Sequence, residues 1–225
     1  MEERLPHGYT NRTRHVADGR VEKRYDGPAR WDNARRELAC LEALSSRLPV
    51  PTVVDRDPSV PMIVTEPVGG LHGQDLIDEG HGRQVLRLVG EALRSLQALD
   101  PALVAELSGA GPVIVHGDFG PQNMHLDLAA GSVVGIFDWE SARVGRSVED
   151  LAWAEWIVRM HHPHAVRDLE ELFDAFGAEP PWSERQQAMI SQCRRILAYC
   201  ESSGMERSAA DWRDLLARTE SWPGL

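Results

Sequence analysis

The sequence predicts a mixed α/β (α+β) chain in two parts, a small antiparallel sheet with one helix followed by a mainly helical region. Three observations predict it. Strand-length runs separated by turn signals fill residues 12–65, the cluster Pro67, Gly69, Gly70 breaks the composition, and from residue 85 onward apolar residues recur at helical spacing. At 225 residues the chain can bury a sizeable core as one large domain or two modest lobes. The expected division is 1–66 for an N-terminal lobe, 67–70 for a hinge and 71–225 for a C-terminal lobe.

Arg12 to Val16 and Arg20 to Tyr25 flank Asp18-Gly19, a hairpin signal because both turn residues must accept positive φ. In the second strand Val21, Lys23 and Tyr25 share one face and Glu22 and Arg24 the other, which puts a lysine on the apolar side. Trp31, Ala34, Leu38, Leu41 and Leu48 then mark a helix over residues 29–48, opened by Gly27-Pro28 and ended by Pro49, with Glu37 beside its apolar stripe. Val50 to Val54 and Met62 to Thr65 read as two further strands around the turn-rich stretch from Asp55 to Pro61.

Past Gly70, Val85, Leu88, Val89, Ala92, Leu96 and Leu99 form an amphipathic helix that ends near Asp100-Pro101. Val113 to Val115 is a short strand, and Met124 to Leu126 with Val133 to Phe137 make a hairpin-like pair around Gly131. Ser147 with Asp150 has the spacing of a helix cap for a segment running to about Met160. Helical patterns near 164–177, 183–203 and 208–219 complete the chain.

Charge and cysteine content exclude several classes. A net charge of -11 argues against nucleic acid, whose phosphates call for a basic stripe. Residues 1–70 balance, with 11 basic and 11 acidic side chains, whereas residues 71–225 hold 13 against 24 and carry the whole surplus. Such a region is either a solvated acidic surface or one that attracts a cationic ligand. Three cysteines, Cys40, Cys193 and Cys200, imply no disulfide framework. Met1 is followed at once by two glutamates, and no apolar run reaches the roughly 18 residues of a membrane span. A cytoplasmic protein without a membrane partner is expected.

The chemistry concentrates in HGDFGPQN, His116 to Asn123, and IFDWE, Ile136 to Glu140. Asp118 and Asn123 sit in a Gly- and Pro-rich loop directly after an apolar strand, and Asp138 ends another. A carboxylate at the end of a buried strand needs a partner, because an unpaired charge out of water is costly. Asn123 and Asp138 could bring two hard oxygens to one Mg²⁺, with nucleotide phosphates and water completing the octahedron. Asp118 then remains free as a base for a substrate hydroxyl.

Together with GYTN (residues 8–11), VEKRY (21–25), RREL (35–38) and EDLAW (149–153), these stretches resemble the aminoglycoside phosphotransferase and choline kinase superfamily, relatives of the protein kinases. The resemblance covers nearly all of residues 5–157. It implies a two-lobed kinase-like fold and transfer of the γ-phosphoryl of ATP, with Mg²⁺, to a hydroxyl of a small molecule. By the same resemblance Lys23 orients the α- and β-phosphates and pairs with Glu37, while Gly8, Tyr9, Thr10 and Asn11 approach the triphosphate. Asp118 is the catalytic base or positions the acceptor hydroxyl, Asn123 and Asp138 hold the metal, His116 supports the catalytic loop, and Asp150 braces its backbone.

Three departures from the family pattern stand out. Gly8 lies only seven residues after Met1, which shortens the usual first strand, and the C-terminal part is short for the family. At the expected hinge, Thr65-Glu66-Pro67-Val68, proline falls where the family offers a backbone N–H to adenine, so either Val68 donates instead or the nucleotide choice extends to GTP. The acidic surplus points to a cationic acceptor, aminoglycosides leading, with Glu140, Glu155, Asp75 and Asp78 as candidate contacts. Choline-like, sugar and amino-acid alcohols remain alternatives, as does a pseudokinase that binds nucleotide to regulate a partner. Trp139, Trp153, Trp156 and Trp182 could cage a quaternary ammonium or simply fill the core. His161, His162 and His164 invite, but do not require, a metal reading.

Overall fold

The computed structural model describes residues 11–224. Its first sheet has four antiparallel strands, β1 (Arg12–His15), β2 (Val21–Arg24), β3 (Val53–Asp57) and β4 (Met62–Thr65), in the order β1-β2-β4-β3. Asp18 and Gly19 take φ of 62° and 73° at the hairpin, as their composition predicts. Lys23 pairs with Thr13 on one side and Ile63 on the other, which makes β2 a central strand. The opposite face of β2 holds a surprise, because Glu22 is buried. Arg14 and Arg24 each donate to its Oε1 at 2.8 Å and roof it over.

Strand β3 starts at Val53, three residues later than its hydrophobic pattern suggests, and continues through the exposed Asp55, Arg56 and Asp57. An edge strand satisfies only one side, so polar residues suit it, and a bulge between Val53 and Asp55 absorbs the change of register. Helix α1 (Arg30–Leu44) buries Ala34, Cys40, Leu41 and Leu44, and with them the carboxylate of Glu37.

Beyond the glycines at 69 and 70 come β5 (Leu71–His72), α2 (Gly73–Leu76), one π-helical turn (Ile77–His81) and α3 (Gly82–Gln97). Strands β6 (Val113–Val115), β7 (Met124–Asp127), β8 (Ser132–Ile136) and β9 (Arg143–Gly145) form two small sheets, β5-β7-β8 and β6-β9. Helices α4 (Val148–His161), α5 (Leu169–Phe176), α6 (Trp182–Ser202) and α7 (Glu206–Glu220) follow. Among the described residues no helix is long and apolar enough to cross a membrane.

Two links join the parts. The Ile136 N–H donates to the Pro49 carbonyl at 2.7 Å, which pins the end of β8 beneath α1. Gly70, at φ 87°, lies on the β7-β8 hairpin so closely that a Cβ would stand 2.8 Å from the Leu126 carbonyl oxygen. One core runs from Tyr25, Leu41 and Ile63 through α3 to Trp139 and α5. A second, smaller core packs Trp153 and Trp156 of α4 against Met189 and Cys193 of α6 and Trp212 of α7. Where α3 crosses α5, Gly90 permits the approach, since a Cβ there would meet the Leu172 carbonyl oxygen at 2.4 Å.

The expected cap at Ser147 does not form. Its hydroxyl donates to Gln97 Oε1 instead, and Asp150 turns away to another task. Glu155, expected to face a substrate, is fully buried within the second half of α4. Its Oε1 accepts from Arg159 and its Oε2 from Arg185, each at 2.8 Å, and both guanidinium groups lie over Trp182. The charge is spent on holding α6 to α4, so the substrate role is withdrawn.

Two stability measurements follow. Glu155→Ala takes the carboxylate from buried Arg159 and leaves Arg185 only Glu179 as an acidic partner, at a cost of about 3–5 kcal/mol, and a thermal melt should fall by roughly 6–20 °C. An unchanged melt with weakened acceptor binding would restore the substrate reading. Gly90→Ala forces α3 away from α5 and should cost about 1–3 kcal/mol, which a denaturant titration would read; an unaltered midpoint would mean the two helices separate freely.

Candidate active site

Helix α1 and the end of β8 meet over Lys23. Its Nζ donates to Glu37 Oε2 and to Asp138 Oδ1, each at 2.6 Å, and lies 5.0 Å from the centre of the Tyr25 ring. Asp138 reaches this position through a left-handed backbone, φ 65°, which redirects the chain after β8. Burial opposes the charge on Lys23, but Asp138, Glu37 and Glu140 outweigh it and its pKa is raised. Burial likewise disfavours the Asp138 carboxylate, yet Lys23 holds its pKa below the ordinary value. Glu37 is pushed up to about 7, by burial first, with Lys23 working against it.

The HGDFGPQN loop lies across from this group. Buried His116 ties the two motifs together: its Nε2 donates to the Phe137 carbonyl at 2.8 Å, and its Nδ1 accepts the Asp118 N–H at 3.3 Å. Burial lowers its pKa to about 4, so the ring is neutral with the proton on Nε2, which is the tautomer both contacts require. Asp150 braces the loop from α4, Oδ2 accepting the His116 N–H at 2.7 Å and Oδ1 the Gly117 N–H at 2.9 Å. Asn123 accepts the Phe137 N–H on its own carbonyl at 2.9 Å, which fixes the asparagine beside Asp138.

Asp118 collects three side-chain donors. Asn123 Nδ2 binds Oδ2 at 2.8 Å; Trp153 Nε1 at 2.7 Å and Gln122 Nε2 at 3.1 Å bind Oδ1. Burial and the nearby charge of Asp138 nevertheless raise its pKa to about 6. Ionised at neutral pH yet close to titration, the group suits a base.

The donor set fits a hard divalent cation. Oxygens of Glu37, Asp138 and Glu140 lie within 4.8 Å of one another. Asn123 spends its amide nitrogen on Asp118, which leaves its side-chain oxygen as the atom that could serve a cation.

The remaining expected residues divide. Gly8, Tyr9 and Thr10 lie outside the described residues. Asn11 is buried, its Nδ2 donating to Glu140 Oε2 at 2.8 Å. Glu140 is therefore not an outlying acceptor contact; Asn33 also donates to it at 3.3 Å, Arg36 caps its carbonyl, and it stands with the Lys23 group. Thr65 is bound into β4, and the Glu66 N–H is taken by the Thr52 carbonyl at 2.9 Å, so neither offers a donor to a base. Among the described residues no hydrogen bond engages the Val68 N–H, while its carbonyl faces the His125 ring.

Asp75 is exposed beside His72, whose Nε2 contacts the Gln122 carbonyl at 2.9 Å. Asp78 instead binds His162 at 2.7 Å, nine residues beyond Trp153 and thus roughly 13 Å away along α4. That contact gives His162 a carboxylate partner, and His164 lies against the Ile77 carbonyl at 3.3 Å. The four tryptophans form no cage: Trp139 packs on His116, Trp153 and Trp156 stack in the smaller core, and Trp182 covers two arginines. Gln122, Asn33 and Arg36 were not legible as site residues, and Trp153 was legible only as a cage or core candidate, since each is an ordinary helix or loop residue until the fold closes. Only the placement of Trp153 three residues after Asp150, one turn along the same helix, hinted at a shared face.

Known proteins share this fold. The chain is 31% identical over 111 residues to the probable acyl-CoA dehydrogenase IBR3 of Arabidopsis thaliana, a match spanning 49% of this chain but only 12% of that protein. Its fold is similar to that of an APH(2") enzyme solved with GDP and kanamycin, with a TM-score of 0.76 at 13% identity over 98% of this chain and 93% of that one. It is also similar to a choline/ethanolamine kinase family protein from Mesorhizobium loti, with a TM-score of 0.68 at 16% identity over 98% and 87%. A family model described as the phosphotransferase enzyme family matches residues 2–109 and 103–188. The kinase-like architecture, the clustered lysine and carboxylates, and a family match over most of the chain lead to one conclusion: this protein belongs to the phosphotransferase enzyme family.

Proposed function

We propose that the protein moves the γ-phosphoryl group of ATP, in the presence of Mg²⁺, to a hydroxyl of a small cationic molecule, with aminoglycoside-type acceptors leading. The carrying observation is that Asp118, hydrogen-bonded to Asn123, shares one site with the Lys23–Asp138 ion pair. Phosphoryl transfer asks a protein mainly for positioning and charge neutralisation, and these are the groups that provide both. When bound, the magnesium nucleotide supplies the phosphoryl group and neutralises charge on it.

The chain's own residues do the rest. Lys23, kept protonated, faces the phosphates, with Glu37 fixing its direction. Asn123 and Asp138 present oxygen to the cation, and Glu140 extends that acidic set. Asp118 orients the acceptor hydroxyl and takes its proton as that oxygen bonds to the γ-phosphorus and the bridge to ADP breaks. The open Val68 N–H supports recognition of adenine past Pro67, and GTP remains the alternative nucleotide. In this reading residues 1–66 and 71–225 are the two lobes and 67–70 the hinge, with the nucleotide between them. The acidic surplus beyond residue 70 and the exposed Asp75 carboxylate support a cationic acceptor. Three buried, unpaired thiols suit a reducing cytoplasm.

The test is ADP release across a panel of aminoglycosides, peptide antibiotics, choline and sugars. With the responding acceptor, Asp118→Asn should lower turnover by about 10² to 10⁴, or roughly 3–5 kcal/mol, at unchanged nucleotide affinity. Turnover equal to the parent's would remove Asp118 as the base. Because the ionised carboxylate is the active form, kcat/KM should climb about tenfold per pH unit up to an apparent pKa near 6 and level off above it; a profile flat from pH 4.5 to 7.5 would contradict the assignment. Asp138→Ala should abolish the rise in melting temperature that ATP produces at fixed Mg²⁺, and a persisting rise would contradict its metal role.

A further inference from the structure

We propose that Trp153 is a positioning residue for the phosphotransfer, its indole N–H fixing the rotation of the Asp118 carboxylate so that a single lone pair on Oδ2 is left for the acceptor hydroxyl. The inference rests on Asp118 being the base. Its starting point is a count of acceptor positions. An ionised carboxylate offers about four lone-pair sites, two on each oxygen. Trp153 at 2.7 Å and Gln122 at 3.1 Å fill those of Oδ1, and Asn123 at 2.8 Å fills one on Oδ2. One position remains, on Oδ2, and the proton leaving the acceptor arrives there.

Of the three donors, Trp153 is the one that does not belong to the loop it steadies. Gln122 and Asn123 move with the HGDFGPQN segment, whereas Trp153 stands on α4, one helical turn after Asp150. Asp150 holds the backbone N–H groups of His116 and Gly117, and Trp153 holds the side chain of the next residue, Asp118. One turn of a buried helix thus fixes three consecutive loop residues. The indole has little freedom of its own. It is 3% exposed, stacks on Trp156 with ring centres 4.3 Å apart and planes 7° from parallel, and faces Trp212 of α7 at 6.3 Å. Trp156 is anchored in turn by donating its Nε1 proton to Thr219 Oγ1 at 2.8 Å. A donor held this rigidly sets an angle as well as a distance, and catalysis by position is sensitive to both.

Two variants separate the hydrogen bond from the packing. Trp153→Phe removes the N–H and trims the ring; benzothienylalanine at position 153 removes the N–H and keeps the bicyclic shape. Both should lower kcat by about 10-fold to 100-fold while KM for nucleotide stays within about twofold, the pattern of an interaction lost from the transition state. If benzothienylalanine restores the parent kcat, the ring acts only by filling space and the inference fails. A readout independent of turnover is the Trp153 indole N–H cross-peak in a ¹H–¹⁵N spectrum, identified by its loss in Trp153→Phe. It should lie downfield of the other indoles, resist exchange with solvent, and move upfield in Asp118→Asn. A cross-peak indifferent to Asp118→Asn would overturn the inference even with the base assignment intact. Parent-level turnover by Asp118→Asn would instead remove the base itself, and the positioning role with it.

Discussion

A single buried ammonium organises the site. Lys23 meets two carboxylates at 2.6 Å, one from helix α1 and one from the end of β8, and without it two acids would share a space that excludes most water. Taking ions out of water costs several kcal/mol apiece unless the pairing is good. The surrounding chain is arranged to keep it good. The β2 register aims Lys23 inward, Pro49 clamps β8 beneath α1, and the left-handed turn at Asp138 swings that carboxylate toward the amine. In the proposed reaction the acids that hold the lysine would become surplus negative charge once it turned to phosphate, and a cation would balance them.

The loop opposite solves a different electrostatic problem. Asp118 must stay near Asp138 without sharing its ion pair, and the proximity of like charges pushes its pKa up to about 6. Neutral donors, not cations, stabilise it: an indole, a glutamine and an asparagine. A lysine there would hold the carboxylate too far below neutrality to accept a proton. Neutral His116 follows the same rule, linking the two acidic motifs through hydrogen bonds without adding charge between them. The Asp118 carboxylate keeps its basicity because each side-chain contact to it is polar and none is ionic.

Much of this was legible in the sequence, for physical reasons that also explain the rest. Lys23 declared itself by parity on an apolar strand face and Asp138 by ending a buried strand, whereas Asp118 and Asn123 stood in a Gly- and Pro-rich loop and took their expected roles from the family resemblance. The Asp18-Gly19 turn was readable because few residues accept positive φ. Local signals failed where tertiary contacts decided the outcome. Strand β3 extends through Asp55, Arg56 and Asp57 because an edge position tolerates them, and Glu22 is buried because two arginines cover it. Glu155 looked like an acidic contact, but Arg185, whose position on a later helix no local pattern reveals, consumes it. Ser147 and Asp150 had cap spacing, yet each found a stronger partner outside the helix. Trp153 reads as core and is core; its N–H becomes functional only when the loop arrives.

These corrections change how the charge surplus of residues 71–225 should be understood. Of the acids first assigned to an acceptor, Glu155 neutralises buried arginines, Asp78 pairs with His162, and Glu140 stands with the lysine group. Asp75 alone stays exposed near the catalytic loop. In the proposed reading the surplus acts through the field over the surface, which would steer a cation at distances up to about a Debye length, roughly 8 to 10 Å. Steering of that kind raises encounter rates and falls with salt, but it discriminates poorly among cations of similar size. Discrimination has to come from contacts within reach of the open side of Asp118. Gln192 of α6 donates to the Gly117 carbonyl at 2.7 Å and brings that helix against the loop, one turn before the face that carries Ile196 and Tyr199. In the proposed reaction, surface charge gathers cations at long range, and the groups beside the loop discriminate among them on contact.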